Sequence, residues 1–281
     1  MSGSIGLHGG GEYLAGDERF LDALLDAAAI AAAVRVARTG PPSSSGLPSP
    51  SAGQGDRSDR DVSGHAAETA VATIRIVILP TAAGRGLPDR AAATGRLAFE
   101  RRAATRAQKA TVEVARVVDA PSAADPAEVD RIADADLIHL PGGDPDLVPA
   151  TLAGSPALHA IEAAWGRGAV VAGASAGAMA LAEWTWTPGG GIRGLGLLRG
   201  LAVVPHYDDV RRTAWQQTLD DLAPGGIGYL GLDEQTGVIS VPTGSAGWSW
   251  RVAGAGAVYW FAGGASEPLI GRHGDVLHLP F

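Results

Sequence analysis

The sequence predicts an α/β fold, a mainly parallel sheet with helices on both faces and a β-rich C-terminal end. Strands such as Thr73–Leu79 (TIRIVIL) are almost continuously apolar, as strands covered on both faces must be. They alternate with helical segments, which is the rhythm of parallel crossovers. After residue 200 the rhythm changes to short strands joined by Gly-rich turns.

Taken in order, Ser4–Leu7 reads as a short strand running into Gly9-Gly10-Gly11, and Asp17 to about Arg38 as a helix. Residues 39–64 are rich in Pro, Ser, Gly and charge and lack apolar periodicity. They predict a disordered insertion, because such a segment cannot bury enough surface to offset its ordering entropy. The strand and helix before it could not fold alone, so 1–281 is expected to form one domain. Thr73–Leu79 is followed by a helix over Asp89–Gln108, a strand over Thr111–Val118, a helix over Asp125–Ala133 and a strand over Asp136–Leu140. Pro149 and Pro156 punctuate two helical pieces before the strand Ala169–Ala172. Leu201–Val204, Gly237–Val241, Trp248–Val252, Ala257–Phe261 and Val276–Leu279 predict antiparallel additions at the sheet edge and a terminal β-ribbon from about 237.

Composition narrows the function. Hydrophobic residues make up 46% of the chain and charged ones 19%, enough to bury a full core. The net charge of −8 lacks the basic footprint of a nucleic-acid surface. With no cysteine there is no disulfide, no thiolate metal site and no cysteine nucleophile. The apolar run Leu21–Val36 is too short to span a bilayer and is interrupted by Asp22, Asp26 and Arg35. No signal-peptide pattern opens the chain, so a soluble cytoplasmic protein is expected.

The chemistry concentrates at Val170–Met179, where an apolar run ends in Gly173-x-Ser175-x-Gly177 and passes into Ala, Met and Leu. That is the composition of a nucleophile elbow, with a serine on a tight strand-to-helix turn. A serine hydroxyl needs a base to take its proton. Of seven histidines, His206 in Val-Val-Pro-His-Tyr-Asp-Asp lies just past a strand end, where parallel sheets place their sites. His139 alternates within a strand and reads as packed. An orienting carboxylate is offered by Asp233-Glu234 at the end of another apolar run. In Gly142-Gly143-Asp144-Pro145, the Gly143 N–H could face a developing oxyanion, with the Ala176 N–H as second donor.

Together, Gly-Gly-Asp-Pro, then Gly-x-Ser-Ala-Gly-Ala about thirty residues on, then Pro-His-Tyr and then Asp-Glu resemble peptidase family S51. That family holds the α-aspartyl dipeptidases and cyanophycinases on the class I glutamine amidotransferase-like fold. The resemblance implies Ser175 as nucleophile, His206 as general base and Glu234 as the triad carboxylate, with Asp233 as fallback. It implies Gly143 and Ala176 as the oxyanion hole. Amidotransferases of the same fold carry cysteine at the elbow, so serine here argues against glutaminase chemistry. Cyanophycinases carry several arginines after the histidine, whereas only Arg211 and Arg212 follow here, preceded by Asp208 and Asp209. Substrate contacts are expected from Asp144, Arg211, Arg212 and Trp184, with Arg193 a further candidate cation and Trp186 a further aromatic.

The resulting expectation is a serine peptidase-like hydrolase acting on a small peptide through an acyl-enzyme, with no cofactor and no metal. No nucleic-acid or membrane partner is expected, and a homodimer is allowed. Two alternatives stay open. One is a non-catalytic binding member of the fold. The other is an α/β-hydrolase-type esterase pairing Asp209 or Asp233 with His273 or His278.

Overall fold

The structure, a computed structural model, describes residues 3–39, 72–208, 210–222, 224–242 and 248–280. The segment read as a disordered insertion, and Asp209, lie outside them apart from Thr39. Five parallel strands form the centre: β1 (Ile5–His8), β2 (Ile74–Ile78), β3 (Ala110–Val114), β4 (Leu137–Leu140) and β5 (Val170–Ala174), in the order β1-β5-β4-β2-β3.

The two-residue period of a strand explains why these runs are apolar throughout. Ile74, Ile76 and Ile78 face helices α1 (Glu18–Thr39) and α2 (Pro88–Thr105), packing on Phe20, Leu24, Leu25 and Phe99. Val77 and Leu79 face the other way with Ile138 and Leu140. They meet α3 (Pro126–Ala133), α4 (Leu147–Leu152) and α5 (Pro156–Gly166) through Ile132, Val148, Leu158 and Ile161. Each such side chain fully removed from water contributes about 2 kcal/mol. Asp125 and Ser155 cap α3 and α5 by accepting from the Ala127 and Leu158 N–H groups, and a proline follows each cap. The third strand is shorter than expected. It ends at Val114 rather than Val118, and the Val117 carbonyl instead accepts from the Thr81 hydroxyl.

The sheet is mixed rather than purely parallel. Beyond β1 it continues antiparallel through β10 (Thr236–Pro242), β11 (Trp248–Gly254) and β14 (Val276–Leu279). The remaining C-terminal strands do not add to this edge, which corrects the sequence expectation. β12 (Ala257–Phe261) and β13 (Leu269–Arg272) belong to a separate sheet of order β13-β12-β9-β8-β6-β7. Its other members are β6 (Ala182–Thr187), β7 (Gly190–Arg193), β8 (Leu198–Val204) and β9 (Gly228–Leu232). β6 and β7 were not foreseen. The helix after Ser175, α6 (Ala176–Leu181), lasts only six residues before the β-favouring run Trp184-Thr185-Trp186-Thr187 takes over. β8 runs parallel to both β6 and β9, so the second sheet has its own set of aligned carboxyl ends.

Candidate active site

The site lies where the carboxyl ends of the two parallel groups meet. β5 ends at Ser175, between β1, which runs into Gly9-Gly10-Gly11, and β4, which runs into Gly142-Gly143. From the second sheet, His206 follows β8 and Glu234 follows β9.

Ser175 has φ 47° and ψ −115°, a strained conformation held by close backbone packing. A Cβ on Gly173 would stand 2.4 Å from the Gly177 carbonyl carbon, and one on Gly177 would stand 2.1 Å from the Leu140 carbonyl oxygen. Both glycines are therefore required by proximity. Among the described residues five non-glycine residues have positive φ, and Tyr13, Ser175, His206 and Gln235 account for four of them. All four belong to the loops that converge here.

Ser175 Oγ lies 3.0 Å from His206 Nε2, and His206 Nδ1 lies 2.8 Å from Glu234 Oε1. An ionised carboxylate can only accept, so the proton of a neutral imidazole belongs on Nδ1. Nε2 is then left as the acceptor for the serine hydroxyl. The His206 hydrogen bond above all holds the Glu234 carboxyl below the usual carboxylate range, against a partial opposing effect of burial; Arg211 adds to the lowering. Arg211 Nη1 lies 3.4 Å from Glu234 Oε1. Asp233 turns away and accepts from the Ala257 N–H at 2.8 Å, so Glu234 is the carboxylate against the histidine.

One feature of the assembly was not legible in the sequence. The N–H groups of Ser175, His206 and Gln235 donate to the carbonyls of His8, Gly9 and Gly10 in turn, at 2.9, 2.8 and 2.8 Å. Three consecutive residues thus tie Ser175, His206 and the loop of Glu234 together. Gly10 must be glycine, because its φ is +106° and a Cβ there would stand 2.2 Å from His206 Cε1.

The Gly142-Gly143 turn is equally constrained. Gly143 has φ +152°, and a Cβ would stand 2.2 Å from the Ala82 carbonyl oxygen. Among the described residues, the Gly143 and Ala176 N–H groups donate to no protein acceptor.

The expected substrate contacts fare differently. Arg211 leans on Glu234 and Asp208. Asp144 faces Arg85 at 4.0 Å and its N–H donates to the Ala82 carbonyl. One expectation needs correcting. Trp184 is buried in the second sheet, packed on Gly191 and clustered with Ala202, Val204, Tyr207, Leu219 and Phe261, so it belongs to the core. Arg212 lies over the rings of Tyr259 and Tyr207, its guanidinium 4.3 and 5.1 Å from their centres. Arg193 is exposed at the end of β7, and Trp186 stands edge-on to Trp215. His139 is buried, as expected, with burial pushing its pKa down to about 3 and His8 adding to the shift. His278 bonds Ser249 within the β11–β14 pair. Among the described residues no helix is long and apolar enough to cross a membrane.

The architecture is a mixed α/β fold shared with solved structures. A crystal structure of a peptidase from an acI-B1 Actinobacterium matches with TM-score 0.70 at 24% identity, covering 99% of this chain and 98% of that one. The protein assigned as a peptidase E in Listeria monocytogenes EGD-e matches with TM-score 0.49 at 10% identity, covering 91% of this chain and 100% of that one. No curated protein matches the sequence. The family model of peptidase family S51 matches residues 65–241, and the chain belongs to that family.

Proposed function

We propose that the protein is a serine peptidase that cleaves a peptide or isopeptide bond in a small peptide, an aspartyl dipeptide being the first to try. The reading rests on the hydrogen-bonded chain from Ser175 Oγ through His206 to Glu234. Ser175 Oγ attacks the carbonyl carbon while His206 Nε2 takes its proton, and Glu234 holds the imidazole and offsets its new charge. The carbonyl oxygen becomes an oxyanion facing the Gly143 and Ala176 N–H groups, the latter at the start of α6. As the tetrahedral species collapses, the C–N bond breaks and His206 delivers the proton to the departing amine. An ester on Ser175 remains. Water, losing a proton to His206, then attacks that ester and releases the acid.

The test is a fluorophosphonate probe with mass mapping of the adduct, run beside hydrolysis of a dipeptide library. An adduct at Ser175 on the folded protein, and loss of hydrolysis in Ser175→Ala, are expected. A Ser175→Ala protein that hydrolyses the same dipeptides as wild type overturns the reading.

A further inference from the structure

The loop between β1 and α1 brings a second acid to the nucleophile. Glu12 Oε1 accepts the Gly142 N–H at 2.8 Å. The space where a Gly142 Cβ would stand is 3.0 Å from that Glu12 oxygen and 3.2 Å from Ser175 Cβ. The carboxylate and the nucleophile therefore flank one point of the turn that precedes Gly143. A cavity of about 420 Å³ opens there, with Glu12 and Gly142 in its wall, Leu14 and Leu87 supplying apolar surface, and Arg90 and Thr94 from α2.

Among the described residues Glu12 has no cationic partner, and its one hydrogen bond comes from backbone. The geometry around it is fixed all the same. The adjacent Tyr13 has φ 68°, and its N–H donates to Asp17 Oδ2 at 2.9 Å. The other oxygen of Asp17 pairs with His8 Nε2 at 2.8 Å, both side chains fully buried. The Tyr13 hydroxyl is 2.8 Å from His139 Nδ1. A half-buried carboxylate held so firmly beside a nucleophile, and given no cation by the described residues, is built for a cation on the substrate.

We infer that Glu12 receives the free α-ammonium of the substrate's acyl residue and so restricts cleavage to the bond after an unblocked N-terminal amino acid. The inference rests on the serine-peptidase reading for its chemistry. In an N-terminal residue the ammonium is separated from the scissile carbonyl by a single carbon. A group that binds it must therefore lie beside the nucleophile, where Glu12 is. A side-chain ammonium or guanidinium shares the charge but stands further from the carbonyl.

The test uses dipeptides of each amino acid joined to leucine, as free amines and as N-acetyl derivatives, read by mass spectrometry for wild type, Glu12→Gln and Glu12→Ala. Gln can still accept the Gly142 N–H, so only the charge is removed. Wild type is expected to prefer free amines about 30-fold or more, the worth of a charged hydrogen bond, and both variants are expected to lose that preference. Several outcomes overturn the inference: wild type cleaving acetylated peptides as well as free ones, a preference that survives in Glu12→Gln, or a preference that follows basic side chains rather than the α-amine. Loss of the fluorophosphonate adduct at Ser175 in Glu12→Gln also overturns it, since Glu12 would then support the serine turn itself. Binding of the same peptide pairs to Ser175→Ala, by calorimetry, separates the two readings. Tighter binding of free amines that disappears in Ser175→Ala/Glu12→Gln sustains the role of Glu12 even if the serine chemistry fails, and equal binding of both forms overturns it.

Discussion

The two halves of the site are built on opposite plans. The half on the first sheet is dense: β1, β4 and β5 are buried along their whole length, and Gly173 and Gly177 let backbone touch backbone under Ser175. The half on the second sheet is open. The side chains of His206 and Glu234 are 31% and 47% exposed, and Arg211 covers Glu234 only from outside. Ser175 is thus placed by packing, which tolerates no added methyl group. His206 and Glu234 are placed by hydrogen bonds, which substitution can weaken without collapsing the core.

The largest effect tests the dense half. Ser175→Ala is expected to lower kcat/KM by about 10⁴-fold or more with unfolding midpoint unchanged, as losing a triad nucleophile does elsewhere. Glu234→Gln, in the open half, is expected to cost about 10³-fold in kcat, also without loss of stability, because the ring loses its charge partner and its fixed tautomer. Both are read by steady-state kinetics beside urea unfolding, and a large fall in stability for Glu234→Gln would break the comparison.

Two alanine substitutions sharpen it. Gly177→Ala forces a methyl group against the Leu140 carbonyl and is expected to destabilise by about 3 kcal/mol or more. Gly10→Ala adds strain at φ +106° and meets the ring of His206, a side chain that can turn aside, so it is expected to cost activity out of proportion to its smaller loss of stability. Equal stability losses would show that both halves are packed alike.

The smallest effect depends on pH. His139 is neutral in the folded protein down to about pH 3 but takes up a proton near its ordinary value when unfolded. The unfolded state then binds more protons between those limits. Stability is full above the unfolded value and is lost as pH falls towards the folded one, with a slope approaching about 1.4 kcal/mol per pH unit. His139→Gln is expected to flatten that loss between pH 7 and 4.5 in urea unfolding.

Much of the dense half was legible in the sequence. A serine between two glycines, after an apolar run and before helix formers, leaves little choice of geometry. His206 and Glu234 were legible as strand-end residues and through the family pattern. The second sheet was not, because short alternating strands with Gly-rich turns do not specify which sheet they join. That is why Trp184 read as a pocket residue although its partners are core. Arg211 and Arg212 were indistinguishable as neighbours in sequence. The start of α7 (Arg212–Leu222) turns one towards Glu234 and the other onto Tyr259. Glu12 gave no signal, since nothing local reveals that residue 12 meets residue 142.

The grip of His8, Gly9 and Gly10 on all three site segments also bears on the order of folding. β1 lies between β5 and β10, and the Ile5 N–H donates to the Ser240 hydroxyl 235 residues along the chain. Closing so long a loop is slow. Ser175, His206 and Glu234 are therefore drawn together only once residues 8–10 and residue 235 have both been synthesised and joined, and a nascent chain holds no such assembly before then.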